Sequence, residues 1–284
     1  MSMLESELTK KLLNSLNSIM NTKPNTYPGP NPISIERRHL TKLKFNKYWI
    51  GYKNDGERYS LCIIRYEDKP RCFLLNRKLE GFQVSLKIVK KLYNGTMIDC
   101  ELVGNYLYIF DVMVYAGENI SKYNFETRMS YIDSFLKGIK VTNDSIYKFK
   151  KKEFKLLNKE NQLQYEEEND GYIFVPNDKE IVTGTNTDYF KLKPRLKNTI
   201  DFAIDITGKV YLQTNGKLIE QQHISIKEKT KSTQLVIKEC SYVNENKWEE
   251  LCIRHDKDIP NSVYTYNRTL INIAENLTIN DIIF

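Results

Sequence analysis

The sequence predicts an α+β fold, with a first domain of antiparallel sheets and flanking helices and then a small barrel. Three observations lead there. Apolar and aromatic runs at 47–52, 59–66, 71–75, 96–104 and 106–114 are joined by brief polar turns. Helical spacing of apolar residues is confined to a few stretches. After Asn198 the texture changes to short strands with tight turns, the pattern of a small barrel.

Taken in order, Leu4, Leu8, Leu12, Leu16 and Ile19 recur at helical spacing and predict an amphipathic helix docked on the body of the domain. Pro24, Pro28, Pro30 and Pro32 make the next stretch an irregular connector. Residues 59–66 and 71–75 are strands joined by Glu67-Asp68-Lys69-Pro70. Residues 84–92 read as a helix closed by Asn94-Gly95. Two strands follow, and they carry Asp99, Glu101 and Asp111 among apolar residues. Residues 125–135 are helical. The basic stretch 137–159, with Lys150-Lys151-Lys152, reads first as a solvated helix face and second as a track for an RNA backbone. Strands are expected at 172–176 and 189–194. Asn215-Gly216 between two apolar runs is a strong hairpin signal. Further strands at 234–238 and 248–253 precede Asn261-Ser262, a helix cap, and Val263, Leu270, Ile273 and Leu277. The expected division is 1–40 for the N-terminal helix and connector, 41–198 for the sheet domain and 199–284 for the barrel.

Composition narrows the partners. Lys and Arg number 43 against 36 Asp and Glu, a formal charge of +7 over 284 residues, which favours a polyanionic partner such as nucleic acid. The five cysteines are scattered and form no Cys-x-x-Cys pair, so a reducing, cytoplasmic setting is expected. His39, His223 and His255 lie far apart and give no zinc pattern. No membrane span or signal-peptide core is present in the sequence, and no membrane partner is expected. The bias toward Lys, Asn, Ile and Tyr suggests an AT-rich genome, such as that of a large DNA virus or a similar cytoplasmic element.

The chemistry centres on Lys53-Asn54-Asp55-Gly56-Glu57-Arg58, which follows the strand at 47–52. A lysine amine can attack the α-phosphate of a nucleotide and hold it as a phosphoramidate. A cation beside it, with Arg58 as candidate, favours the neutral amine that attack requires. Taken alone, Asp-Gly after a strand reads first as an ordinary hairpin turn. Arg77, just past a strand end, is either a phosphate or ribose contact or a surface charge. Acids inside apolar strands are costly to bury unless paired or bound to metal, so Asp99, Glu101 and Asp111 point to a site. Asp170-Gly171 puts another carboxylate at a strand mouth. Lys191 and Lys193 share one face of an extended segment, where like charges make sense if they converge on phosphate.

In this order the segments resemble the covalent nucleotidyltransferases: DNA ligases, RNA ligases and mRNA capping guanylyltransferases. Lys53-x-Asp55-Gly56-x-Arg58 looks like motif I, Asp99-Cys100-Glu101-Leu102-Val103 like motif III, and Tyr108-Ile109-Phe110-Asp111 like the segment after it. Asp170-Gly171-Tyr172-Ile173-Phe174 resembles motif IV, Lys191-Leu192-Lys193-Pro194 motif V, and Arg254-His255-Asp256-Lys257-Asp258-Ile259-Pro260-Asn261 motif VI. Asn198-Thr199-Ile200-Asp201-Phe202 and the form of motif VI favour a capping enzyme over a ligase. Cys100 departs from the family, which usually has glycine there.

The resemblance implies a nucleotidyltransferase domain followed by a C-terminal OB-fold barrel carrying motif VI. It implies transfer of GMP from GTP, through a lysyl-GMP intermediate on Lys53, to the 5′-diphosphate end of RNA. Lys191 and Lys193 would neutralise the α-phosphate, with Arg58 and Arg77 on sugar or phosphate and Phe110 on the base. Glu101 and Asp170 would sit near Mg²⁺ or Mn²⁺. Arg254, Asp256 and Lys257 would reach the β- and γ-phosphates, with Asp170 also counted among the GTP contacts. An RNA triphosphatase and a cap methyltransferase would come from other chains or other domains. An ATP-dependent DNA or RNA ligase and an inactive RNA-binding module that keeps the fold remain the alternatives.

Overall fold

Two units divide the chain in the computed structural model, which describes residues 2–140, 146–160, 163, 169–244 and 246–283. One unit comprises Met1–Ile33, Lys42–Lys191 and Ile283–Phe284; the other comprises Ser34–Thr41 and Leu192–Ile282. The first contains α1 (Ser6–Met20), β1 (Pro30–Ser34), α2 (Leu40–Phe45), β2 (Tyr48–Tyr52), β3 (Glu57–Tyr66), β4 (Lys69–Leu75) and β5 (Gly81–Gln83). It continues with β6 (Thr96–Val103), β7 (Tyr106–Tyr115), β8 (Glu118–Asn119), α3 (Phe125–Gly138), β9 (Lys148–Lys151), β10 (Lys155–Leu156), β11 (Tyr172–Pro176) and β12 (Gly184–Leu192). The second contains β13 (Thr199–Ile204), β14 (Val210–Thr214), β15 (Lys217–Glu220), β16 (Ser225–Lys227), β17 (Val236–Asn244), β18 (Lys247–Ile253) and α4 (Val263–Glu275).

The first unit is built on two sheets. The larger runs β5-β4-β3-β6-β7-β8, with β9 also on β7, and the smaller runs β1-β12-β11-β2-β10. The larger sheet is covered on both faces. Leu61, Ile63, Ile98 and Ile109 face Ile132 and Phe135 of α3. Cys62, Phe73, Met97 and Met113 face Leu12, Leu13 and Leu16 of α1. That double burial explains why residues 59–64 lack apolar–polar alternation. The N-terminal helix therefore docks on the domain, as its leucine spacing required. Each fully buried leucine contributes roughly 1.5–3 kcal/mol.

Two expectations are corrected here. Residues 84–92 are not an α-helix: Lys90–Asn94 is a short 3-10 turn. Val84 and Val89 instead donate backbone N–H bonds to Cys72 and Gly138 at 3.0 and 3.1 Å. The apolar residues at 84, 88 and 92 do face the core, but from a largely extended path, which suits β-branched Val84, Ile88 and Val89. The Lys150-Lys151-Lys152 run is no helix face either. It forms and follows β9, parallel to β7; residues 141–145 of the basic stretch lie outside the described residues.

The second unit is a six-stranded sheet ordered β15-β14-β13-β17-β18-β16. Asn215 and Gly216 both adopt positive φ, 50° and 79°, and close the β14–β15 hairpin. The edge strands β15 and β16 are consecutive in the chain, so residues 221–224 join the two ends of the sheet. β16 pairs with β18 in parallel. Phe202, Trp248 and Tyr266 fill the core, and Ser262 caps α4 by accepting from Thr265 N at 3.0 Å. Among the described residues no helix is long and apolar enough to cross a membrane.

Candidate active site

The turn at residues 53–56 is not a hairpin. β2 pairs with β10 and β11, whereas β3 pairs with β4 and β6, so Lys53–Gly56 carries the chain from one sheet to the other. The crossing is tight. A Cβ on Gly56 would lie 2.5 Å from Leu102 O and 2.7 Å from Val103 Cγ2, so this close approach admits only glycine. Lys53 is thereby fixed at the end of β2, and its N–H donates to Gly171 O while Asp170 N–H donates to Lys53 O, both at 2.8 Å. The paired backbones bring their side chains together: Lys53 Nζ contacts Asp170 Oδ2.

Asp170 is thus the carboxylate in contact with the Lys53 amine, while Arg58 is bonded to a different acid. Arg58 Nε donates to Asp99 Oδ1 at 2.9 Å, Nη2 contacts Asp99 Oδ2, and Nη1 donates to Pro30 O at 2.7 Å. Asp99 is fully buried. Burial pulls the Arg58 pKa down, but the Asp99 charge and hydrogen bond more than offset it, so the guanidinium stays ionised. These bonds pair the Arg58 guanidinium with Asp99 and tie it to the connector at Pro30. The guanidinium carbon lies 5.5 Å from the Tyr27 ring centroid and 5.4 Å from that of Phe110, within cation–π range of both rings.

Glu101, the strand partner of Arg58 and two residues beyond Asp99 on β6, faces a residue that sequence reasoning missed. Lys152 Nζ lies 3.8 Å from Glu101 Oε2 and 5.4 Å from the Phe110 centroid. Its side chain is buried, and burial pushes its pKa down to about 8; Glu101 opposes that fall, and Lys53 and Arg58 add to it. The signal in the sequence was periodicity. Alternation along an extended segment sends Lys150 and Lys152 to one face and Lys151 to the other, where Lys151 meets Asp133 of α3 at 2.7 Å.

The remaining candidates fall as follows. Asp111, read as a site acid, is bound instead to Arg128, at 2.8 Å to Nε and 2.9 Å to Nη2. Arg77 is exposed and within electrostatic reach of Arg58, Asp99 and Glu101. Lys191 lies near the end of β12, whose sheet neighbour β11 begins just after Asp170, and Lys193 follows in the second unit. Within that second unit Arg254 donates to Asp256 at 2.8 and 2.9 Å, and to Asp201 and Glu239 at 3.2 Å each. Lys257 also contacts Asp201. The Arg254 hydrogen bonds hold the Asp256 carboxyl down at about 2. Asp201 is a second residue that the sequence reading left without a role. It gathers both cations, and its strand is laced to Asn261, whose Oδ1 accepts from Asp201 N at 2.9 Å.

Among the described residues no group of three or more His, Cys, Asp or Glu side chains is arranged to hold a metal by itself. Glu101 and Asp170 each lie beside a lysine. A cation such as Mg²⁺ is commonly held by one or two carboxylates together with substrate phosphates, and these two residues fit that donor set.

Comparison with known proteins gives the family. The family model described as "mRNA capping enzyme, catalytic domain" matches residues 3–195, and that described as "mRNA capping enzyme, C-terminal domain" matches residues 206–283. The chain is 26% identical to the mRNA-capping enzyme subunit alpha of Schizosaccharomyces pombe over 93% of this chain and 81% of that protein. It is also 26% identical to the mRNA-capping enzyme of Danio rerio, over 84% of this chain but 46% of that protein, so it spans less than half of the vertebrate relative. Among solved structures it is similar to mycobacterial DNA ligase D complexed with ATP and MES, with a TM-score of 0.47 and 12% identity over 82% of this chain and 96% of that one. The chain belongs to the mRNA capping enzyme family, the guanylyltransferases of the covalent nucleotidyltransferase superfamily, and carries both its catalytic and its C-terminal domain.

Proposed function

We propose that this guanylyltransferase moves GMP from GTP to the 5′-diphosphate end of RNA through an adduct on Lys53. The Lys53 amine attacks the α-phosphorus; the bond to the β-phosphate oxygen breaks, and pyrophosphate leaves. A terminal phosphate oxygen of the RNA then attacks the same phosphorus, the N–P bond breaks, and a GpppN cap forms. Phosphoryl transfer of this kind depends chiefly on positioning and charge neutralisation. The observation that carries the reading is the placement of Lys53. It is locked by paired backbone hydrogen bonds to Asp170 and Gly171, with the charges of Lys152 and Glu101 in the same pocket of field.

Phe110 serves as the base platform. Lys152, whose amine lies near its ring, donates toward the base edge, which suits the acceptor O6 of guanine and not the N6 amino donor of adenine. Lys191, Lys193 and Arg77 neutralise phosphate. Glu101 and Asp170 would hold a divalent ion, Mg²⁺ or Mn²⁺, which when bound would neutralise charge on phosphate oxygens. Arg254, Asp256 and Lys257 address the β- and γ-phosphates, which requires the two cations to leave Asp201. The parallel β16–β18 pair and the four-residue link between edge strands support an OB-type barrel for the second unit. Triphosphatase and methyltransferase steps fall to other chains or domains. Five free cysteines support a reducing, cytoplasmic setting, and the residue bias supports a viral or similar source.

Incubation with α-labelled GTP and a divalent ion, followed by a denaturing gel, tests the scheme. A labelled band that vanishes in Lys53→Ala is expected. A band formed with ATP and not GTP would indicate a ligase, and RNA binding with no band under any metal would indicate an inactive module.

A further inference from the structure

Outside the nucleotide site, β7 and β9 together present a face that the mechanism does not use. Their parallel register sets Tyr106 beside Lys148 and Tyr108 beside Lys150. On the inner face Leu107 and Ile109 are buried in the core, with Phe149 packed against it. On the outer face the two tyrosines are half-buried and the two lysines exposed. Lys150 Nζ lies 4.2 Å from the Tyr106 centroid and 5.9 Å from that of Tyr108, and Lys148 Nζ lies 5.5 Å from that of Tyr106. The two rings are 6.1 Å apart.

We propose that this Tyr106–Tyr108–Lys148–Lys150 face binds the single-stranded body of the RNA substrate near its 5′ end. The proposal rests on the guanylyl-transfer reading for the identity of the substrate. Two features select a nucleic acid over another partner. Aromatic rings interleaved with lysines supply both contacts that single strands need, base stacking and phosphate neutralisation, without reading sequence. The face is also continuous with the site: two residues further along the same strands stand Phe110 and Lys152, and Lys152 N donates to Ile109 O at 2.7 Å, extending the ladder. The spacing of alternate strand residues, about 6.7 Å, makes the track a direct extension of the base platform. The neighbouring acid on β6, Glu101 opposite Tyr108, is turned to Lys152 at 3.8 Å.

The test separates this surface from the reading beneath it. Enzyme–GMP formation needs no RNA, so its absence in the unaltered protein would defeat the guanylyl-transfer reading itself. With that step intact, binding of a short 5′-diphosphate oligoribonucleotide is measured by fluorescence anisotropy across a salt series. Tyr106→Ala with Tyr108→Ala is expected to weaken binding roughly ten-fold or more, with Tyr→Phe at both positions restoring it. Should the alanine variant fold poorly, Tyr→Leu keeps the apolar volume and removes the ring faces, and the same loss is expected. Lys148→Ala with Lys150→Ala should flatten the slope of log affinity against log salt by about 1.4, the value for two phosphate contacts on a single strand. Unchanged affinity in both pairs would overturn the proposal. So would a loss confined to the lysine pair and equal for heparin, which would show charge attraction without base stacking.

Discussion

Arg58 Nε lies 2.9 Å from Asp99 Oδ1, inside the protein, although both residues belong to segments that bear catalytic motifs. The pair separates the two cations of the Lys53–Arg58 segment. Lys53 and Arg58 are five residues apart, yet one is directed at Asp170 and the other is committed to the β6 acid beneath it. A buried ion pair of this kind adds little net stability against an apolar pair, but losing one partner strands a charge and costs roughly 3–5 kcal/mol. What it supplies is a fixed guanidinium against which the Phe110 ring rests.

The connector from the N-terminal helix is threaded over that pair, and Gly29 tests it. A Cβ at Gly29 would lie 2.2 Å from Arg58 Nη2 and 2.5 Å from Asp99 Oδ2. Gly29→Ala is therefore expected to destabilise the protein by about 1–3 kcal/mol through overpacking, read as a lower urea midpoint. In a chain already carrying Arg58→Ala and Asp99→Ala the three atoms nearest that methyl group are gone, and its cost should fall below about 0.5 kcal/mol. Equal costs in the two backgrounds would show that the clash lies elsewhere.

Lys238 offers a contrasting case in the second unit. Its side chain is wholly buried and donates to Glu228 at 2.7 Å and Glu250 at 3.0 Å, and Glu250 also accepts from Lys229 N and Thr230 N at 2.8 and 3.1 Å. Lys238→Ala leaves Glu250 buried beside an empty space and should cost about 3–5 kcal/mol. Lys238→Met with Glu250→Gln fills the volume and removes both buried charges, and should lie within about 1.5 kcal/mol of the parent. Thermal unfolding of the three proteins checks the order; a double variant as unstable as Lys238→Ala would refute it.

Part of the candidate site could be read from residue order, because Lys53, Asp170 and Lys191 sit where strands start or stop. Lys53 and Asp170 were legible as strand-mouth residues, and backbone pairing between β2 and β11 makes them neighbours. The buried roles were not legible. Asp99, Glu101 and Asp111 look alike in sequence, yet Asp99 and Asp111 are taken by Arg58 and Arg128 while Glu101 faces Lys152. Only tertiary pairing separates them. The lysine run failed for a different reason: charge suggested a solvated helix, while the alternation that splits Lys151 from Lys150 and Lys152 depends on β9 joining β7, whose paired residues lie 42 positions earlier. Residues 84–92 show apolar periodicity satisfied by an extended path, where β-branched side chains settle the backbone against the helix.

Lys152 carries a pH signature that follows from its burial. Its folded pKa is about 8, against 10.5 for the free side chain, and burial is the main cause. Below pH 8 both folded and unfolded chains hold the proton, so the cost of burying the charge is constant. Between 8 and 10.5 the unfolded chain keeps the proton while the folded one has shed it, so this residue makes stability rise with pH; above that window its contribution is flat. The total change is on the order of 3 kcal/mol. Other groups also titrate there, so the quantity to measure is the stability of the parent minus that of Lys152→Met, by urea unfolding at pH 7, 8, 9 and 10. The difference should climb toward the parent as pH rises. A flat difference would mean that Lys152 remains charged in the fold, held by Glu101 more strongly than burial opposes it.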